Sequence, residues 1–174
     1  MKNIKSILTF FVLTLIFTAV SCDNEPVDSL ISGSSNVIGT YYMTAYNSSI
    51  LTDLDDDGIE STNQMDETNC YTGSFITLKI DGTFIASNKG PYINSDGGIS
   101  TIECFNDGDY SGTWTLSGTQ LTMVYLYWGV EVTDVVTLSN NTIVSSVEDG
   151  EVIGITSGGE YEYLTSNIQI VYTK

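Results

Sequence analysis

The sequence predicts an all-β fold, an eight-stranded antiparallel up-and-down barrel, from three observations. No window after residue 35 sustains a 3.6-residue apolar repeat; apolar and polar residues alternate instead, in segments rich in Thr, Val, Ile and Tyr. Turn-forming pairs punctuate these segments at Asp81-Gly82, Ser117-Gly118, Asn140-Asn141 and Asp149-Gly150. The segments number about eight, enough for a meandering sheet to close on itself, remove its edges and enclose side chains or one small ligand. The same pattern admits a two-sheet β-sandwich as the alternative.

The first predicted strand covers about residues 37–46. The second, about 74–80, alternates Ile76, Leu78 and Ile80 with Thr77 and Lys79. Asp81-Gly82 turns the chain into the third, about 83–88, where Phe84 and Ala86 continue the apolar face. In the fourth, about 109–116, Tyr110, Trp114 and Leu116 oppose Ser111, Thr113 and Thr115. Ser117-Gly118 leads into the fifth, about 119–128, with Leu121, Met123, Tyr125 and Tyr127 on one face. The last three span about 130–138, 142–148 and 161–173, with Asn140-Asn141 and Asp149-Gly150 as the turns between them.

Composition excludes whole classes of chemistry. The 174 residues leave room for one domain and a tail. All five basic residues are lysines, at positions 2, 5, 79, 89 and 174, and the chain has neither Arg nor His. Without histidine there is no Ser-His or Cys-His nucleophile, no imidazole base and no imidazole metal ligand. A net charge of −17 without arginine excludes nucleic acid as a partner. The surviving catalytic class uses carboxylates alone, as a glycoside hydrolase does, and needs two acids roughly 5–10 Å apart. Asp134 is the one acid on an otherwise apolar strand face, shared with Val132 and Val136. One acid is not a pair, so the chain is expected not to be an enzyme.

The N-terminus is an address. A basic start, Met1 to Lys5, precedes the uncharged run Ile7 to Val20, which is short for a bilayer span of about 20 residues. The run ends in Ala19-Val20-Ser21-Cys22, which resembles the lipobox of bacterial lipoproteins. The resemblance implies a signal peptide over 1–21, cleavage before Cys22 and lipidation of Cys22. Cleavage removes two lysines and no acids, leaving three lysines against 22 acids and a net charge of −19. Such a surface is repelled by anionic lipid, so acyl chains must supply the anchor. The expected location is the outer membrane, on its periplasmic face or at the cell surface. Asp23-Asn24-Glu25 is a polar spacer, and it also resembles the acidic stretch with which some Gram-negative lipoproteins are exported to the surface. Residues 22–35, rich in Ser, Gly and acids, read as a flexible tether, with the folded domain over 36–174.

Short motifs in the body point to a family. Gly39-Thr40-Tyr41 resembles the G-x-W that opens a lipocalin, with tyrosine in the place of tryptophan. Asp81-Gly82-Thr83-Phe84, then Gly112-Thr113-Trp114-Thr115-Leu116-Ser117-Gly118, then Leu121-Thr122 resemble a run found in bacterial lipocalin-like lipoproteins. The resemblance covers about residues 36–174 and implies a barrel on a lipid anchor.

Three further features carry candidate chemistry. Cys70 and Cys104 form an even pair in an exported domain and are expected to bond, tying the start of the second strand to the segment before the fourth. Asp53-Leu54-Asp55-Asp56-Asp57-Gly58-Ile59-Glu60-Ser61 matches the opening of a calcium loop, with carboxylates at alternate positions and a glycine for the turn. Asp53, Asp55 and Asp57, the Ile59 carbonyl and Ser61 are the ligands this reading would use for Ca2+; a solvated acidic loop is the alternative, and no other cofactor is implied. Tyr125, Tyr127 and Trp128 end a strand that is apolar on both faces. They fit a small hydrophobic ligand or a glycan, and they fit plain barrel packing. The expected function is therefore a lipid-anchored binding protein of the cell envelope, with a structural or protein-interaction lipoprotein as the alternative.

Overall fold

The computed structural model describes residues 36–96, 99–156 and 158–174. The predicted signal peptide, the tether and Cys22 lie outside the described residues. The strands are β1 (Gly39–Thr52), β2 (Ser61–Asn63), β3 (Phe75–Leu78), β4 (Thr83–Asp96), β5 (Ile99–Ser117), β6 (Gln120–Tyr127), β7 (Val130–Ser139), β8 (Thr142–Ile155) and β9 (Tyr161–Thr173). A four-residue helix, α1 (Gln64–Glu67), and a 3₁₀ turn, Asn69–Tyr71, lie between β2 and β3.

Strands β1 and β3 to β9 pair antiparallel in sequence order, and β1 pairs with β9 from Tyr42↔Thr173 to Ser48↔Ile168. That last pairing closes an eight-stranded barrel and rules out the sandwich. The ninth strand, β2, hangs on the far half of β1 through Asn47↔Asn63 and Thr52↔Ser61. Register shifts interrupt the ladders at Met43/Ala45, Ser87/Lys89 and Val147/Gly150. Such bulges bend and twist a strand, which lets long strands curve round a small barrel.

Two expectations about turns are corrected. Asp149-Gly150 does not separate strands; it forms the bulge in β8, with Asp149 at φ 52°, and β8 runs on to Ile155. The third and fourth strands do not stop at 88 and 109. They continue as one hairpin in which Gly90 faces Phe105 and Pro91 faces Cys104. Cys104 accordingly lies inside β5 rather than before it. The Cys70–Cys104 disulfide, with Cα atoms 5.0 Å apart, ties the 3₁₀ turn to the middle of that hairpin.

One end of the barrel is sealed. Tyr41, Leu78, Phe84, Leu121 and Ile143 are all at most 1% exposed there, packed with Trp114 and Leu138. Their polar atoms are satisfied at the same end. The Tyr41 hydroxyl donates to the Val37 carbonyl (2.7 Å), and Trp114 Nε1 donates to the Lys79 carbonyl (3.1 Å). Lys174 Nζ donates to the carbonyls of Asn36 (3.0 Å) and Ile38 (2.6 Å) and lies 6.0 Å from the centre of the Tyr41 ring. The first and last described segments are thus clasped together across the base.

Candidate functional site

The other end is built differently. Alternation places Leu121, Met123 and Tyr125 of β6 on the inward face, opposite Val136, Asp134 and Val132 of β7. Along that face Leu121, Met123 and Val136 are buried, whereas Tyr125, Asp134 and Val132 are partly exposed. The same gradient runs along β5 from Trp114 to Tyr110, and along β1 from Tyr41 to Tyr46. Burial thus falls away from the sealed base on these faces, whereas Ser48 and Thr52 farther along β1 and Val152 and Ile153 of β8 are buried again.

Tyrosines line that half. Tyr110 and Tyr125 lie with ring centres 4.8 Å apart, and the Phe84 ring meets them edge-on at 6.2 and 6.0 Å. Tyr46 stacks on Tyr71 at 4.6 Å. Edge-on and offset contacts suit the ring quadrupoles and fix the rings without extra hydrogen bonds. The Tyr125 hydroxyl donates to Asp134 Oδ2 at 2.9 Å. Burial raises the Tyr110 hydroxyl to about 12, helped by the Asp134 carboxylate and Tyr127. Burial likewise raises Tyr125, with Asp134 as hydrogen-bond acceptor and nearby charge, and Tyr172, with Tyr110, Tyr46 and Asp134 as neighbours. Tyr110, Tyr125 and Tyr172 therefore converge on Asp134, and their hydroxyls stay protonated throughout the physiological range.

Of the three aromatic residues singled out from the sequence, Tyr125 alone reaches this interior. Tyr127 is 43% exposed, and its hydroxyl donates to Asp107 at 3.0 Å. Trp128 is 85% exposed, in the left-handed turn it forms with Gly129 between β6 and β7 (φ 51° and 80°). The strand ends there, so its inward alternation ends too. Tyr46, Tyr110 and Tyr172, which sequence reasoning missed as site residues, are supplied by three other strands. For Tyr110 the signal was present: it shares its alternation phase with Trp114.

The acidic loop lies between β1 and β2, outside the barrel wall. Its amides turn back on its own carboxylates: Asp57 N and Gly58 N donate to Asp53 (3.1 and 3.0 Å), and Ile59 N donates to Asp57 (2.7 Å). Asp53, Asp55 and Glu67 each place one carboxylate oxygen within 4.8 Å of the others. Helix α1 brings Glu67 beneath the loop, where it is 5% exposed and accepts from Leu54 N at 2.8 Å. Burial pushes the Glu67 carboxyl up, the Leu54 N–H opposes this, and Asp55, Asp53 and Asp57 add to the upward push. Ile59 is 71% exposed, and Ser61 Oγ donates to Asp66 at 3.0 Å.

Residues 37–145 match the model of a family described as a lipocalin-like domain. No curated protein and no solved structure matches the chain.

Proposed function

Because the chain belongs to the lipocalin-like domain family, we propose that its barrel binds a small hydrophobic molecule through the open end, on a lipoprotein anchored in the outer membrane at Cys22. The observation that supports binding is the gradient of burial along the inward faces of β5, β6 and β7, from a sealed apolar base to partly exposed tyrosines. Sites of this kind combine an apolar wall with a few placed polar groups. The barrel acts by holding its ligand. Hydrolysis by carboxylates alone would need a second acid facing Asp134.

The neutral fluorophore Nile red tests this reading. It should bind the full chain saturably, with one site per chain. Tyr110→Ala should weaken that binding on the order of tenfold, since one buried aromatic side chain is worth about 1.5–3 kcal/mol. Absence of saturable binding, or binding unchanged in the variant, would remove the interior from consideration.

Anchoring rests on the lipobox-like run ending in Cys22. In the Cys22→Ser variant the protein should leave the membrane fraction or accumulate as an uncleaved precursor. Normal processing and fractionation of that variant would refute the anchor.

A second reading, an interaction lipoprotein or a binder of glycans, is favoured by the apex between β6 and β7. Leu126, Trp128 and Val130 are 66%, 85% and 66% exposed there, and an exposed indole face is a surface on which a sugar ring or an apolar partner can lie. Persistence of carbohydrate binding after Trp128→Ala would count against the apex as a glycan site.

A further inference from the structure

We propose that the ligand taken by the open end is an organic cation, an amine whose ammonium group is held between the Asp134 carboxylate and the rings and hydroxyls of Tyr110, Tyr125 and Tyr172. The inference rests on the interior-binding reading above and adds to it the sign of the ligand's charge.

The first support is the placement of Asp134. It stands on the inward face of β7 between Val132 and Val136, directly across from Met123. A carboxylate in apolar surroundings is costly unless it is paired and hydrogen-bonded. Its partner among the described residues is the Tyr125 hydroxyl, a neutral donor. The cations that could neutralise it are few, since the chain has no Arg and no His. Lys174 is engaged at the sealed base by Asn36 and Ile38. Lys79 lies at the β3–β4 turn of that same end, and Lys89 lies over the backbone of Gly73. Among the described residues, none of the lysines is placed beside this carboxylate, so the barrel interior presents a negative group without its counter-ion.

The second support is the ring arrangement. Tyr110 and Tyr125 lie within 4.8 Å of each other beside the carboxylate, and Tyr172 is close enough to Asp134 to feel its charge. The faces of tyrosine rings carry negative potential and attract ammonium groups, more strongly where water is partly excluded. The hydroxyl oxygens can accept its remaining N–H bonds. Val132 and the tyrosine rings would receive the organic part, above the buried Met123 and Phe84.

The third support is exclusion. A fatty acid or other anionic amphiphile would meet Asp134 with no basic group to offset it, inside a chain of net charge −17. The same field raises the local concentration of cations at the mouth.

Calorimetry on the full chain at pH 7 with three ligands of similar shape tests the proposal: 2-phenylethylammonium, 2-phenylethanol and 3-phenylpropionate. The ammonium should bind about tenfold or more tightly than the alcohol, and the carboxylate most weakly. Asp134→Asn keeps an acceptor for Tyr125 and should abolish the preference, weakening the ammonium about tenfold while leaving the alcohol within about twofold. Tyr125→Phe, which keeps the ring, should weaken the ammonium by a smaller factor. Equal binding of ammonium and alcohol to the unaltered chain would overturn the cation inference while leaving interior binding intact, and that comparison needs no variant. A preference that survives Asp134→Asn would also overturn it. Failure of all three ligands and of Nile red would overturn both readings together.

Discussion

Removal of the disulfide by Cys70→Ala with Cys104→Ala is expected to lower stability by about 3–4 kcal/mol, the value the chain-entropy model gives for a closed loop of this length. The two cysteines are 34 positions apart. For a domain of this size the thermal midpoint should fall by about 10 °C. The effect should also reach the binding interior. The bond holds the 3₁₀ turn Asn69–Tyr71 against β5, and Tyr71 is the residue on which Tyr46 stacks. Urea unfolding of the oxidised protein and the double variant provides the measurement. A difference below about 1 kcal/mol would mean that the neighbouring pairing of β4 with β5 already confines the loop.

An equally large loss is expected from Gly112→Ala. A Cβ at that position would lie 2.1 Å from the Val124 carbonyl oxygen, 2.8 Å from Tyr125 Cβ and 2.9 Å from the Phe84 ring. The first of these is backbone in the paired strand and cannot step aside without breaking the β5–β6 ladder at Gly112↔Tyr125. Overpacking of a tight core costs about 1–3 kcal/mol when side chains can yield; here the loss should be about 3 kcal/mol or more. Alanine at Gly118, where nothing lies within 4 Å but φ is +61°, should cost only about 1 kcal/mol from backbone strain. Equal midpoints for the two variants would show that close approach at Gly112 is not what requires glycine there.

The architecture was legible in the alternation of β6, β7 and β9, whose bounds differ little from the sequence reading. It was less legible where turn chemistry and pairing disagree. Asn88-Lys89-Gly90-Pro91 and Asn106-Asp107-Gly108 carry the residues of loops, yet they lie in or beside the long β4–β5 ladder. Cross-strand pairing and the disulfide override local preference there. Asp149-Gly150 has the residues of a hairpin turn and serves as a bulge, because both demand positive φ and the sequence does not distinguish them. The site was legible in part for the same reason. Tyr125 and Asp134 fall on the inward phase of adjacent strands, and that phase can be counted. The approach of Tyr172 to the same carboxylate, and of Tyr46 to Tyr172, depends on closure between β1 and β9, which no local pattern encodes. Glu67 joined Asp53 and Asp55 because a four-residue helix folds it back beneath the loop, a tertiary event that carboxylate spacing cannot report.

The clasp of Lys174 on Asn36 and Ile38 also gives the barrel two unlike poles. Asn36, Ile38 and Lys174 all meet at the sealed base, where a lysine and two carbonyls on the approach to β1 hold these segments together. On the anchoring and binding proposed above, load and ligand would use opposite poles of the barrel. A ligand bound as proposed above would enter and leave by one passage, which would set its residence time.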